Sequence, residues 1–272
     1  MTTTTTGSRQ TGRIAGLAAD DFGSSDHRPP LILLHGMTFD RTIWRDIIPE
    51  LQQIDPGRRV LAIDLPGHGE SADQSSYDLD LIVDQIHGVV QEAGLTAPVL
   101  VGHSASGGFA TAYATRYPAR GVVNIDSPLQ IAPLITLLRS LGDRLRGPEF
   151  STIWQHVLFP SFHVELLPHA AQELVRTTCR PRPQVALGYW RQLLEGPADE
   201  VPAIIEHESA TLRASGMPYL YVAGSELDPD YRQWLDTHLP AATVEVWSNT
   251  GHFPHLADPH RFVKLLADTA LR

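Results

Sequence analysis

Three residues far apart in the chain have the right types for covalent catalysis. They are a serine in "VLVGHSASGG", an aspartate in "VAGSELDPDY" and a histidine in "TGHFPHLADP". A serine hydroxyl is a weak nucleophile until a base takes its proton. The base, an imidazole, in turn needs a carboxylate to fix its tautomer and stabilise its charged form. Ser104, Asp228 and His252 supply these parts in the order nucleophile, acid, base. Attack on a carbonyl also creates an oxyanion, which needs hydrogen-bond donors. The N–H of Ala105, at a helix start, and that of Met37, just after His35-Gly36, are placed to serve. The serine stretch leaves one ambiguity, because neither Ser104 nor Ser106 fits G-x-S-x-G. Read from Gly102, Ser106 stands where the last glycine belongs; read from Ser104, a serine replaces the first.

Such residues need elements to bring them together. "LILLHG" (31–36), "RVLAIDL" (59–65), "PVLVGHS" (98–104), "GVVNIDS" (121–127), "PYLYVAG" (218–224) and "TVEVWS" (243–248) are short, continuous and rich in Val, Ile and Leu. That pattern suits parallel strands buried on both faces. Leu79, Ile82, Val83, Ile86, Val89 and Val90 follow helical spacing up to Gly94, a helix-ending residue. Asp258-Pro259 reads as an N-cap with proline at the first helical position, followed by Phe262, Leu265 and Leu266. "RIAGLAAD" (13–20) is a weaker, extra edge strand.

Alternation of strands and helices predicts an α/β fold with a mostly parallel, doubly wound sheet. Residues 129–215 break the rhythm with helical patterns, many prolines and no convincing strand. The expected organisation is a threonine-rich disordered tail over 1–12, a core formed by 13–128 and 216–272, and an inserted helical cap over 129–215. In open sheets of this class ligands bind beyond the carboxyl ends of the strands. His35, Asp64, Ser104, Asp126, Asp228 and His252 all follow strand runs, so a serine, two candidate acids and a histidine share one edge.

Composition narrows the function. Of 272 residues, 21 are Lys or Arg and 31 Asp or Glu, a formal charge of −10. An acidic surface repels nucleic-acid backbones and anionic lipid heads, so neither is an expected partner. No run reaches the roughly 18 apolar residues of a membrane span. The opening MTTTTTGSRQ has no signal-peptide core, giving a cytoplasmic expectation. The single cysteine, Cys179, excludes an internal disulfide, and no cluster has metal-ligand spacing; neither metal nor organic cofactor is expected.

Together, "LILLHGM", "VLAIDLPGHGES", "VLVGHSASGG", "VAGSELDPDY" and "TGHFPHLADPHRF" resemble the α/β-hydrolase superfamily, in its branch of compact, capped esterases, lactonases and C–C-bond hydrolases. The resemblance spans residues 31 to 262 in the family's order. It implies a nucleophile on a strained turn directly between strand and helix, which favours Ser104 and leaves Ser106 as a stand-in for glycine. Ser106→Gly should then preserve activity. It implies His252 as base, in the turn after the last core strand. Asp228 matches the family's common acid position and Asp126 an alternative used by a minority. His35 and His103 are implied to be structural, near the oxyanion hole and the turn, and His68 to be a loop residue.

His35, His103, Trp154, Trp190 and His255 are also candidates for lining the substrate pocket, although the tryptophans, with Tyr189, serve equally well as the cap's own core. Arg139, Arg144, Arg146, Arg176, Arg180 and Arg182 could recognise a substrate carboxylate, but read first as solvated surface residues. The function implied is a serine hydrolase of a small, largely apolar carboxylic ester or lactone, with homodimerisation left open. A C–C-bond hydrolase, a cofactor-free perhydrolase and a non-catalytic binding or receptor protein are the alternatives.

Overall fold

The computed structural model describes residues 9–24 and 27–268. Eight strands form one sheet in the order β1-β2-β4-β3-β5-β6-β7-β8. They are β1 (Gln10–Ile14), β2 (Leu17–Phe22), β3 (Leu31–Leu34), β4 (Val60–Ile63), β5 (Val99–His103), β6 (Gly121–Ile125), β7 (Tyr219–Ala223) and β8 (Thr243–Val246). β1 and β2 make an antiparallel hairpin whose second strand joins β4; the remaining pairs are parallel. All six apolar runs are strands, and the edge strand at 13–20 is a hairpin. The tail expected over 1–12 is only partly testable, because residues 1–8 lie outside the described set. Residues 10–12 belong to β1 instead, where ladder bonds to Asp21, Asp20 and Ala19 hold an otherwise exposed, polar segment.

Successive strand residues face opposite sides of the sheet, and two apolar clusters follow from this. Leu31, Leu33, Val60, Ala62, Val99 and Val101 point to one side, where they meet Trp44, α1 (Ile47–Ile54) and, near the chain end, Phe262 and Leu266. Ile32, Leu34, Leu61, Ile63 and Leu100 point to the other, against α2 (Leu79–Glu92) and α3 (Ala105–Arg116). Each fully buried Leu or Ile is worth roughly 1.5–3 kcal/mol of transfer free energy. That double-sided demand explains why these strands are continuous apolar runs and not alternating ones.

Every regular element between β6 and β7 is helical. These are α4 (Ala132–Arg146), α5 (Phe150–Ile153), a π-helical turn Trp154–Leu158, short 3-10 turns, α6 (His169–Thr178), α7 (Pro183–Tyr189), α8 (Arg191–Glu195) and α9 (Glu200–Ser215). The insertion is not packed as one unit. Ile135, Leu138, Phe150, Trp154, Trp190 and Leu193 form a cluster of their own. Leu174 and Val175 of α6 instead join the cluster on one side of the sheet, and Leu212 of α9 joins that on the other. After β7 come α10 (Pro229–His238), α11 (Pro254–Ala257) and α12 (Pro259–Asp268). Asp258 caps α12 as expected, accepting the Arg261 N–H at 2.9 Å. No helix among the described residues is long and apolar enough to cross a membrane.

Candidate active site

Ser104 lies at the junction of β5 and α3, with φ 55° and ψ −135°. An L-residue rarely adopts this conformation, and holding it costs of order 1–3 kcal/mol. The turn is tight because strand and helix nearly touch: a Cβ on Gly102 would lie 2.1 Å from the Ser106 carbonyl oxygen. Close approach is therefore demanded at 102. Position 106 has room for a side chain, and Ser106 uses it. Its hydroxyl, fully buried, donates to the His35 carbonyl at the end of β3. The serine in the glycine's place thus ties α3 to the adjacent oxyanion loop, a contact the sequence did not reveal.

His252 stands in the loop after β8, and its partner corrects one expectation. The imidazole Nδ1 is 2.7 Å from Asp126 Oδ2, with both side chains only about one-fifth exposed or less (16% and 20%). Nδ1 therefore carries the proton that it donates to the carboxylate, leaving Nε2 to accept one. Asp126 follows β6 with φ 53°, and its Oδ1 accepts the Gly224 N–H at 2.9 Å. Asp228, the expected acid, is exposed and caps α10 by accepting the Asp230 N–H at 2.9 Å. The physical reason is the path of the last loop. Trp247 N–H donates to the Ala223 carbonyl and Thr250 N–H to that of Gly224, so the chain crosses the end of β7 and delivers His252 to the end of β6.

His103, the residue before Ser104, links that turn to His252. The His103 Nε2–H donates to the His252 carbonyl at 2.8 Å, and the two rings stand 4.8 Å apart. Gly36 completes the corner, since a Cβ there would lie 3.0 Å from the Ser104 Cβ. The residue after it is Met37, and Ala105 opens α3. Both are half-buried beside Ser104, and the Met37 side chain packs against the insertion's cluster. Thr38 follows with φ 73°, unusual for a β-branched residue.

The loop carrying Met37 is held by two neutral histidines. The His35 Nδ1–H donates to the Gly36 carbonyl at 2.8 Å, and its Nε2 accepts the Leu65 N–H at 3.0 Å. The His68 Nδ1–H donates to the Pro66 carbonyl at 3.0 Å, and its Nε2 accepts the Thr38 N–H at 3.1 Å. Burial pushes His35 down to about 4 and His68 down to about 3, so both stay uncharged near neutrality. Asp64 fixes the second loop, accepting the backbone N–H groups of Arg41 at 2.7 Å and Glu70 at 2.8 Å and pairing with the Arg41 guanidinium.

The expected pocket residues are placed otherwise. His35, His103 and His255 are completely buried, the first two consumed by backbone contacts and His255 enclosed by Trp44, His103, Phe253 and Phe262. Trp154 and Trp190 are 4% and 7% exposed, within the insertion's own cluster. A cavity of about 580 Å³ opens beside the site. It lies between Thr38–Asp40, Gly67–Glu70 and Cys179–Arg182 and touches none of those five residues. Phe162, absent from the expectations, is the insertion residue that meets the histidine. Its ring stacks on the His252 imidazole at 4.9 Å and 19°.

The comparisons agree with this architecture. The sequence model of the Alpha/beta hydrolase family matches residues 31–265. The chain is 24% identical to the sn-1-specific diacylglycerol lipase ABHD11 of Xenopus tropicalis, over 98% of this chain and 86% of that one. It is 29% identical to the bifunctional esterase/perhydrolase DCH of Acinetobacter calcoaceticus, over 65% of this chain and 64% of the relative. Among solved structures, a thermophilic esterase from Thermogutta terrifontis superposes with a TM-score of 0.72 at 22% identity, covering 95% of this chain and 97% of the esterase. With its matching sequence over most of its length and its eight-stranded, mostly parallel sheet flanked by helices, this chain belongs to the alpha/beta hydrolase family.

Proposed function

We propose that the protein is a serine hydrolase of a small, largely apolar carboxylic ester or lactone, with Ser104 as nucleophile, His252 as base and Asp126 as the acid. The observation that carries this reading is the 2.7 Å contact between His252 Nδ1 and Asp126. It leaves Nε2 as the free, basic nitrogen of a ring 4.8 Å from that of His103, the residue that precedes a serine held in a strained turn. Ser104 Oγ attacks the carbonyl carbon as its proton passes to Nε2. The N–H groups of Ala105 and Met37 receive the oxyanion, and Asp126 balances the imidazolium. The imidazolium then protonates the leaving alkoxide. Water, deprotonated by the same nitrogen, releases the acid and restores Ser104.

Relatives named as a lipase and as an esterase/perhydrolase support ester chemistry. The apolar preference rests on Met37 and Phe162, half-buried residues that join the insertion's aromatic cluster to the site. A fluorophosphonate probe should label Ser104 in the native protein and nothing in Ser104→Ala. The same substitution should abolish hydrolysis of p-nitrophenyl esters graded in chain length, and of lactones. Undiminished hydrolysis in Ser104→Ala overturns the assignment. The 29% identity to an esterase/perhydrolase favours one second reading, peracid formation from a carboxylic acid and peroxide, for which a halogenation assay is the test.

A further inference from the structure

Phe162 belongs to the helical insertion, yet it makes two contacts with one residue of the core. Its carbonyl accepts the His252 N–H at 3.0 Å, and its ring stacks on the imidazole with centroids 4.9 Å apart and planes inclined by 19°. The ring is fixed by other aromatics: Phe159 and Phe253 edge-on at 5.7 and 5.9 Å, and Trp154 edge-on at 6.1 Å. Upstream, Trp154–Leu158 forms a π-helical turn, a rare geometry that shifts the following side chains around the helix axis. Downstream, His163 takes a left-handed conformation with φ 51°. The chain is bent on both sides of Phe162, and the ring it presents lies flat on His252.

An aromatic face carries negative potential and attracts a cation within about 6 Å of its centroid. It does little for a neutral imidazole. We propose that Phe162 is a positioning residue that stabilises the imidazolium form of His252, so that the insertion contributes to the charged transition state of the core's reaction. This rests on the reading of His252 as the base. Interactions stronger in the transition state than in the ground state are the ones that raise turnover. The other groups around His252 leave this contribution readable. Asp126 accepts the Nδ1–H, and burial holds His255 down at about 3 and His103 well below the ordinary histidine value. His163, next to Phe162, is exposed and bonded to Glu165 at 3.2 Å.

The test replaces the face of the ring while keeping its shape. Phe162→Leu removes the aromatic face. Replacing Phe162 by phenylalanines carrying one, two, three and five fluorines drains the face stepwise with little change in volume, and Phe162→Tyr keeps it. His252 is titrated by NMR in a Ser104→Ala background, which needs no turnover, and the acid limb of kcat/KM is measured with Ser104 intact. The imidazolium loses its partner, so the titration midpoint should move to lower pH in graded steps. The full shift should be about half a pH unit, with a two- to fivefold loss of kcat and recovery in Phe162→Tyr. A midpoint unmoved across the fluorinated series overturns the proposal, including the case in which Phe162→Leu loses activity through misfolding. Loss of the function reading would show separately, as absent labelling of Ser104 while the NMR shift persists.

Discussion

Replacing Asp126 by asparagine isolates the role proposed for its carboxylate with almost no change in shape. The carboxylate has two jobs here, accepting the Gly224 N–H through Oδ1 and the His252 Nδ1–H through Oδ2. An asparagine that keeps its oxygen on Gly224 must turn its NH₂ toward His252. Nδ1 is then forced to accept, the ring proton moves to Nε2, and the nitrogen proposed to serve Ser104 can no longer take a proton. The charge is lost as well. With unit charges 2.7 Å apart and an effective dielectric of about 20, the attraction removed from the imidazolium is about 6 kcal/mol. Spreading the positive charge over the ring lowers that to about 4 kcal/mol. Three to four powers of ten in kcat are therefore expected to disappear, in line with about 10⁴-fold for the equivalent change in serine proteases.

The assay is kcat/KM on a p-nitrophenyl ester, with melting curves to show that each variant is folded. Asp228→Asn serves as the matched control. Asparagine caps a helix about as well as aspartate, so that variant should stay within about twofold of the native rate. An Asp126→Asn enzyme retaining more than a tenth of native activity, with Asp228→Asn crippled, would return the acid's role to Asp228.

Two further outcomes concern stability. Ser106→Ala removes the buried bond to the His35 carbonyl, worth about 1 kcal/mol. The melting temperature should fall by about 2–4 °C, and Ser106→Gly should likewise keep activity at lower stability; an unchanged melting curve contradicts the tie. Acid should weaken the fold through the buried histidines. His35, His68 and His255 are lowered to about 4, about 3 and about 3, whereas the unfolded chain binds these protons near the ordinary value of 6.5. Their neutral burial is compatible with full stability above 6.5 and costs increasingly as pH falls from there toward 4. Urea unfolding midpoints at pH 7.5, 6 and 5 should fall in that order, and equal midpoints would refute the linkage.

The strand cores were legible because double-sided burial leaves a plain mark: "LILL", "VLAI" and "GVVNI" are apolar at every step or nearly so. The places of Ser104 and His252 were legible from the same strands, Ser104 following β5 directly and His252 lying in the loop after β8. The carboxylate partner of His252 was not, because aspartates follow two neighbouring strands and the choice depends on how the loop after β8 crosses β7. One local signal did discriminate. Asp228-Pro229 has the same cap-then-proline grammar as Asp258-Pro259, and both aspartates cap helices. Gln10–Gly12 reads as tail because β1 is stabilised by backbone pairing, to which side-chain polarity is indifferent. Phe162 carried no local mark either. Its partner is 90 positions away, and the π-helical turn, the left-handed His163 and the surrounding aromatic rings together aim its side chain.

Thr38, Ser104 and Asp126 all hold positive φ around the site, at 73°, 55° and 53°. Glycine would occupy each of these conformations without the steric penalty borne by the present side chains. The consequence falls on any selection for heat resistance alone. Such a search scores relief of the backbone at these positions as gain, and its winners there would be more durable proteins without the proposed nucleophile or the proposed acid. Hardening this fold therefore calls for screening turnover alongside survival, or for holding these three residues fixed from the start.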